Sequence, residues 1–174
     1  RGIQRAPRAC IRWPIRQQNE TIDMTTTTQL LEQPFSTMSD MVRAHAQERP
    51  AHTAIVDGDR VLTFAEFDAL IDRAAVGLQR DGVDNMGAVA MCGPSSIEYV
   101  TVFVAALRIG AAACPLAPSS TAEQLAAMVR DCGAGILFVD DSASAALDTV
   151  VEKLAIKCVA LEGVDELRQR VGER

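Results

Sequence analysis

The sequence predicts an α/β fold, with a doubly wound, mainly parallel sheet covered by helices on both faces, over residues 88–161. Three observations support this prediction. Short apolar runs alternate with capped helical segments from residue 88 onward, which is the pattern of βαβ units. Residues 97–107 form an apolar segment whose only charge is Glu98, so a helix there should be buried on more than one side. Residues 136–139 form an apolar run typical of an interior parallel strand.

The segment before this sheet predicts two helices and a hairpin. Met38, Met41, Val42 and His45 recur at helical spacing and share one face of a first helix that ends before Pro50. We interpret the histidine as a packed or edge residue rather than a catalytic base, because no second titratable partner is evident nearby in the sequence.

Residues 54–56 and 60–62 flank the Asp57-Gly58-Asp59 turn signal and predict a β-hairpin. Thr63 and Glu66 then fit a capping box at the start of the second helix. Its apolar positions predict the buried stripe, which consists of Phe67, Leu70, Ile71, Ala74 and Leu78.

The central unit reads strand, helix, strand. A strand over residues 88–92 breaks at Gly93-Pro94, a helix over 97–107 ends at Gly110, and a second strand covers 111–116. Because the helix is apolar nearly all round, we expect Leu107→Ala to destabilise the protein severely, by about 2–5 kcal/mol.

The remaining elements continue the alternation. Thr121 and Gln124 predict a capped helix that ends at Gly133, and the strand over 136–139 follows it. A weaker helix over 145–154, a strand over 158–161 and a last helix over 164–171 complete the predicted order.

Composition sets the domain organisation. Residues 1–23 carry five arginines and a net charge of +3, and we interpret them as a leader or expression-derived tail, with Met24 as the natural start and a transit peptide as the alternative. Residues 24–34 are expected to be mobile. Residues 35–174 are interpreted as a partial N-terminal α/β domain.

The overall charge and the cysteines exclude several classes. The chain of 174 residues has a net charge of −6, and residues 24–174 carry −9, which argues against a nucleic-acid-binding surface. The five cysteines lack paired ligand spacing, which favours a reducing cytoplasm over a disulfide framework. No apolar run reaches 18 residues, so we expect no membrane span.

The sequence contains few motifs that indicate a reaction or a bound ligand. No phosphate-loop, zinc-protease or nucleophile-elbow motif occurs. The Gly133-Ala134-Gly135 cluster lies between a helix and a strand, where a helix stop is the favoured interpretation. Asp140-Asp141 is interpreted as a solvated turn.

Four serines follow two strands at the sheet edge where ligands often bind. Helix capping is the favoured role for all four, which are Ser95, Ser96, Ser119 and Ser120. The sequence therefore predicts no catalytic residue and no metal ligand.

Three sequence blocks nevertheless resemble one enzyme family. Residues 62–67, L-T-F-A-E-F, look like the "L-T-Y-x-E-L" motif, and residues 107–116 look like "L-K-x-G-A-x-x-x-P-L". Residues 94–99 are similar to "P-N-S-x-E-F", with Ser95 in place of asparagine. In this order, they resemble the N-terminal region of the adenylate-forming superfamily, which includes acyl-CoA synthetases, aryl-CoA ligases and peptide-synthetase adenylation domains.

The resemblance implies that the parent protein is an AMP-forming carboxylate–CoA ligase that uses ATP, Mg²⁺ and CoA and activates an aromatic or fatty acid. Peptide-synthetase domains usually continue the second motif with Asp-Pro, whereas Ala117-Pro118-Ser119 follows here, which favours a CoA ligase. The resemblance also implies that Pro118 and Ser119 lie near the CoA nucleotide.

The chain ends before the family's Pro-Lys-Gly phosphate loop, so we expect it to be inactive alone and to pack against the rest of its own N-terminal and C-terminal domains. Its only lysines, Lys153 and Lys157, have no neighbouring glycines that would shape an anion site. The alternatives are a peptide-synthetase-type adenylation domain and a non-catalytic α/β interaction module.

Overall fold

The computed structural model describes residues 26–33, 35–141, 144 and 156–161. The described helices are α1 (Thr27–Glu32), α2 (Met38–Glu48), α3 (Phe64–Arg80), α4 (Ile97–Arg108) and α5 (Ala122–Cys132). The described strands are β1 (Thr53–Asp57), β2 (Arg60–Thr63), β3 (Ala88–Cys92), β4 (Ala112–Leu116), β5 (Ile136–Val139) and β6 (Lys157–Ala160). The helices predicted over 145–154 and 164–171 lie outside the described residues.

The larger sheet confirms the predicted architecture. Its strands run in the order β4-β3-β5-β6, and each neighbouring pair is parallel. The first strand of this sheet in the sequence, β3, is therefore an interior strand. The next strand, β4, lies on one side of it, and β5 and β6 lie on the other side. All four residues of β5 are buried, which explains its uninterrupted apolar sequence.

Helices cover both faces of this sheet, as predicted. Val89 and Met91 of β3 pack on one face in a core shared with α2, α3 and α4. Ala90 and Cys92 point to the other face, where they join a smaller core with α5. The alternation follows from the period-2 geometry of a strand, and it makes the fold doubly wound.

Helix α4 is buried on more than one side, which also agrees with the sequence. It packs against α3, the sheet and the hairpin. Its buried positions are Ile97, Glu98, Thr101, Val102, Val104, Ala105 and Ala106. A half-buried stripe faces outward, and it consists of Tyr99, Val100, Phe103 and Leu107.

Leu107 is less buried than the expected severe effect of Leu107→Ala assumed, while the effect itself stays a prediction. Its side chain is half-buried and lies outside the buried core. Because residues of this helix are apolar on every face, the sequence contains no periodicity from which the inward direction could be identified.

The inward face of α2 also differs from the predicted one. Val42 is buried as expected, but Met38 is 55% exposed and Ser39 is buried in its place. A partner 69 residues away in the chain, Arg108, donates a hydrogen bond to the Ser39 hydroxyl and accounts for this burial. Helical spacing alone could not reveal such a contact.

Helix α1 lies within the segment expected to be mobile and was not predicted. Thr26 caps it in a capping box with Gln29. The Thr27 hydroxyl donates to Glu48 at 2.6 Å, and Leu30 is buried. These contacts place α1 against α2, while the proposed domain boundaries and the mobility of residues 24–34 stay predictions.

The hairpin forms as predicted, with β1 and β2 antiparallel and Ile55 opposite Leu62. It docks against the start of α4, because the Asp57 carboxylate accepts a hydrogen bond from the backbone N–H of Ile97 at 3.3 Å. One of the otherwise unpaired N–H groups at the helix start is satisfied in this way.

The contrast between two residues of α4 can be tested by truncation. Ile97→Ala removes a fully buried side chain and is expected to cost about 2–5 kcal/mol of unfolding free energy. Leu107→Ala is expected to cost less than about half as much, because its side chain already contacts solvent. Urea denaturation of both variants measures the difference, and equal losses would contradict the assigned orientation of α4.

Candidate functional site

The candidate site lies at the carboxyl ends of the parallel strands, where ligands bind in open α/β sheets. Residues 93–96 follow β3, residues 117–121 follow β4 and residues 140–141 follow β5. The connections after β3 and β4 lie on opposite faces of the sheet, so the strand order reverses beside β3.

The ends of β3 and β5 are in close contact at this reversal. The Asp140 N–H donates to the Cys92 carbonyl at 3.2 Å, which extends the ladder by one bond. A Cβ atom on Gly93 would lie 3.2 Å from Leu161 Cδ1 and 3.3 Å from Asp140 Cβ. Glycine permits this close approach, so the described residues fill the space immediately beyond the two strands.

The buried thiol at this end of the sheet is not an activated nucleophile. Burial raises the pKa of Cys92, and the nearby Asp140 carboxylate raises it further. Nucleophilic cysteines instead need a lowered pKa and access to solvent. We therefore assign Cys92 to core packing.

The structure separates the roles of the four candidate serines. Ser96 caps α4 by accepting a hydrogen bond from the Tyr99 N–H at 3.1 Å, as expected. The cap of α5 is Thr121, so capping was the wrong role for Ser119 and Ser120. Ser95 is exposed and is not the α4 cap either. The caps are single residues, and a run of serines before a helix does not show which one occupies that position.

Pro118 and Ser119 form the middle of a turn after β4. The Ser120 N–H donates to the Ala117 carbonyl at 3.1 Å and closes this turn. Both central residues are exposed, and proline commonly occupies the second position of such a turn. The turn offers a hydroxyl and backbone groups to a ligand, and Glu123 places a negative charge in the first turn of the following helix.

The basic residue of the second motif has a structural role that the sequence did not reveal. Arg108, the last residue of α4, is only 8% exposed at its side chain and contacts two other helices, α2 and α3. Its guanidinium donates to Asp68 Oδ1 at 2.5 Å and to Asp72 Oδ1 at 2.6 Å, both on α3. It also donates to the Ser39 hydroxyl of α2 at 2.7 Å.

The other residues of this motif shape the backbone. Gly110 has a φ of +79°, a region that L-residues with side chains rarely adopt. Its carbonyl accepts a hydrogen bond from the Met86 N–H at 3.1 Å. Pro115 lies on β4, the edge strand of the described sheet, where the missing N–H costs no interior ladder bond.

Glu98 is an ion-paired residue buried beneath the hairpin. It is 4% exposed, and Arg60 donates to Glu98 Oε1 at 2.5 Å while also pairing with Asp57. Burial alone would raise the pKa of Glu98, but the hydrogen bonds from Arg60, its own backbone N–H and Ser96, together with the Arg60 charge, outweigh that effect and lower it. The carboxylate therefore stays charged and anchors the hairpin to α4.

His45 is a packed histidine, as expected. Its ring centroid lies 4.8 Å from that of Phe64, and the Arg49 guanidinium lies 5.3 Å from the Phe64 ring. Burial and the charge of Arg49 lower the pKa of His45, with Glu48 acting in the opposite direction. The histidine contributes to the contact between α2 and α3.

Within the part of the chain that the structure describes, Lys157 is ion-paired and no metal-ligand group is found. Lys157 forms an ion pair with Asp81, away from the strand ends discussed above, and Lys153 lies outside the described residues. Over 26–33, 35–141, 144 and 156–161, no three histidine, cysteine or acidic side chains are grouped as a metal site requires. Within the same ranges, no helix has the length and apolarity needed to cross a bilayer.

The Arg108 contacts lead to a stability prediction. Arg108→Met leaves the Asp68 carboxylate without its shortest ion pair and is expected to cost about 3–5 kcal/mol. Arg43→Met is the matched control, because Arg43 also pairs with Asp72 but its side chain is 48% exposed, and it should cost under about 1 kcal/mol. Chemical denaturation compares the two variants, and a small loss for Arg108→Met would show that the guanidinium is dispensable.

Glu98 leads to a pH prediction. Its folded-state pKa is lowered, so it contributes stability that is present above the unfolded pKa of about 4.3 and is lost as the pH falls through the lower folded value. Glu98→Gln should therefore reduce the loss of stability on acidification between about pH 5 and about pH 3. Urea melts across this range test it, with Asp131→Asn, a substitution at an exposed residue, as the control variant.

Comparison with known proteins supports the family suggested by the sequence blocks. Indoleacetate–CoA ligase of Aromatoleum aromaticum is 30% identical over 118 residues, which are 68% of this chain and 23% of the relative. Bacitracin synthase 2 of Bacillus licheniformis is 29% identical over 107 residues, 62% of this chain and 4% of the relative. This chain therefore spans less than a quarter of either relative.

A solved structure shows the same fold. The crystal structure of the N-terminal domain of FACL13 from Mycobacterium tuberculosis superposes with a TM-score of 0.73 at 21% identity, and the match covers 80% of this chain and 38% of that one. The sequence model of the AMP-binding enzyme family matches residues 42–172, well over half of the chain. The chain thus belongs to the AMP-binding enzyme family.

Proposed function

We propose that this chain is the first part of the large N-terminal domain of an AMP-forming carboxylate–CoA ligase. The overall reaction converts ATP, a carboxylic acid and CoA into acyl-CoA, AMP and pyrophosphate. Membership of the AMP-binding family carries the proposal. The Ala117-Pro118-Ser119 sequence after β4, which departs from the peptide-synthetase pattern, favours CoA as the acceptor.

The described residues contribute the scaffold of this enzyme. Arg108 fixes three helices, and Glu98 fixes the hairpin to α4. Since these residues supply neither a phosphate cradle nor a metal-ligand cluster, ATP and Mg²⁺ would be held by other parts of the parent protein. We therefore propose that residues 1–174 alone do not activate carboxylates.

The outer surface of the hairpin and α4 suits packing against the rest of such a domain. Val56 and Val61 are paired across the hairpin and are 65% and 52% exposed. The half-buried stripe of α4 adds Tyr99, Phe103 and Leu107. Exposed apolar surface of this kind is typical of contact sites, so we propose that the remaining parts of the parent enzyme cover it.

We also propose that the turn after β4 lies near the CoA nucleotide. Pro118 and Ser119 are exposed at the carboxyl end of a parallel strand, where the backbone groups and the serine hydroxyl can reach a ligand. The free state of Cys92, Cys114, Cys132 and Cys158 suits a reducing compartment, and we place the enzyme in the cytoplasm.

The second candidate is a peptide-synthetase-type adenylation domain. It is supported by the similarity to bacitracin synthase 2, which is close in identity to that of indoleacetate–CoA ligase. The two functions differ in the acid that is activated and in the acceptor thiol. A non-catalytic interaction module would activate no acid at all.

Pyrophosphate exchange with ATP distinguishes these functions. The full-length protein is expected to exchange pyrophosphate with aromatic or fatty acids and to form acyl-CoA, whereas residues 1–174 should match the no-enzyme control. Exchange that depends on amino acids, without acyl-CoA formation, would favour the peptide-synthetase alternative. Activity of residues 1–174 would contradict the proposed division, and an inactive full-length protein would favour the interaction module.

The proposed CoA contact can be tested in the full-length protein. Ser119→Ala is expected to raise the KM for CoA several-fold, because one hydrogen bond to a ligand is worth about 1 kcal/mol, and to leave pyrophosphate exchange unchanged. Ser95→Ala is the control, since Ser95 is equally exposed but follows a different strand. An unchanged KM for CoA in Ser119→Ala would contradict the assignment.

A further inference from the structure

Two cysteines that are far apart in the sequence lie in one interface of the fold. Cys114 is opposite Ala90 in the register of β4 and β3, and Ala90 belongs to the core beneath α5. Leu116, two residues further along β4, belongs to the same core, so the period-2 alternation places Cys114 on that face of the sheet.

Cys132 reaches the interface from the opposite side. It follows Leu125 and Val129 at helical spacing on α5, and both of these residues pack against the sheet. Cys132 is itself packed against this core. The last turn of α5 therefore brings its thiol into the interface in which Cys114 lies on the sheet side.

The two thiols are neighbours in this interface. Burial raises the pKa of Cys114, and the neighbouring Cys132 thiol raises it further. Both cysteines are free and only partly buried. Their other contacts are weak: Cys114 Sγ lies 3.9 Å from the Ala112 carbonyl oxygen and Cys132 Sγ lies 3.3 Å from that of Val129.

We propose that Cys114 and Cys132 form an oxidation-sensitive dithiol, which a peroxide converts into a disulfide between β4 and the end of α5. In the first step the sulfur of one of the two cysteines attacks one peroxide oxygen, the O–O bond breaks and the other oxygen leaves as water with the thiol proton, giving a sulfenic acid. The sulfur of the second cysteine then attacks the oxidised sulfur and displaces the hydroxyl group as water. Overall, two thiols lose two protons and two electrons, and one peroxide becomes two waters.

Either thiol can take the first step, because both are only partly buried. The second sulfur then lies in the same interface between β4 and the end of α5, which gives it a high effective concentration for the second attack.

The disulfide would close a loop over residues 115–131, which contains the exposed turn of Pro118 and Ser119. It would link the edge strand to the helix that covers it, so oxidation would restrict how far this turn can move from the sheet. The inference does not depend on the proposed ligase function, because bond formation is measured without ATP, acid or CoA.

The other described cysteines provide internal controls. Cys92 is fully buried, so an oxidant cannot reach it without unfolding. Cys158 is exposed on β6, and the strand order places it three strand spacings from β4, about 14 Å away. A disulfide requires Cα atoms within about 7 Å, so Cys158 is accessible to oxidant but cannot pair with Cys114 in the folded chain.

The test uses the purified chain of residues 1–174, reduced and then treated with graded hydrogen peroxide at neutral pH. Remaining thiols are alkylated in denaturant, and peptide masses are mapped. We expect a Cys114–Cys132 linked peptide that dithiothreitol removes. We also expect the midpoint of thermal unfolding to rise by about 5–10 °C on oxidation, from closure of this loop.

Single substitutions identify the pair. Cys114→Ser and Cys132→Ser should each abolish the linked peptide and the midpoint shift, whereas Cys158→Ser should retain both. The wild-type mapping does not depend on how these variants fold. The proposal is overturned if Cys114 and Cys132 remain alkylatable at peroxide levels that consume Cys158, if either pairs with another cysteine instead, or if the bond lowers the unfolding midpoint.

Discussion

The arrangement of the helices depends on the buried guanidinium of Arg108. The last residue of α4 reaches back between α2 and α3, where it meets Asp68, Asp72 and the Ser39 hydroxyl. An ion pair of this kind contributes little net stability over a well-packed apolar group, because desolvation offsets much of the attraction. Its geometric effect differs from this: the planar donor fork of the guanidinium needs its acceptors on α2 and α3 in fixed directions. Apolar burial thus holds the helices together, and the contacts of Arg108 contribute to their positions relative to one another.

The opposite end of α4 is fixed by a second set of polar contacts. Glu98 is buried in the first turn and is charged because Arg60 of the hairpin reaches it. The Asp57 carboxylate binds the same arginine and also accepts from the Ile97 N–H. A carboxylate at a helix N-terminus is favoured by the helix dipole as well as by the hydrogen bond. Helix α4 therefore has a polar anchor at each end, in addition to the close packing of its buried side chains.

The parts of the fold that could be predicted are those whose cause is local in the sequence. The capping boxes of Thr63 and Thr121 involve residues three positions apart, and the strand alternation is equally local. The half-burial of Leu107 and the exposure of Met38 were missed because they depend on partners distant in the chain. Helix α1 was missed because Thr26, its cap, lies in a run of four threonines that gives no indication of which one begins a helix. At the candidate site, the sequence located the strand ends and the Thr121 cap, but it did not separate Ser96, which caps α4, from Ser95.

The blocks that identify the family correspond to scaffold positions in this structure. Thr63 caps α3, Arg108 joins three helices, Gly110 adopts a positive φ and Pro115 occupies an edge strand. Each of these roles is independent of the acid that an enzyme activates. For this reason, a CoA ligase and a peptide synthetase can both be about equally identical to this chain in this region, although their names describe different products. The resemblance consequently supports the fold more strongly than the substrate. A residue that determines acid specificity must contact the acid, and the motif residues here contact other parts of the scaffold.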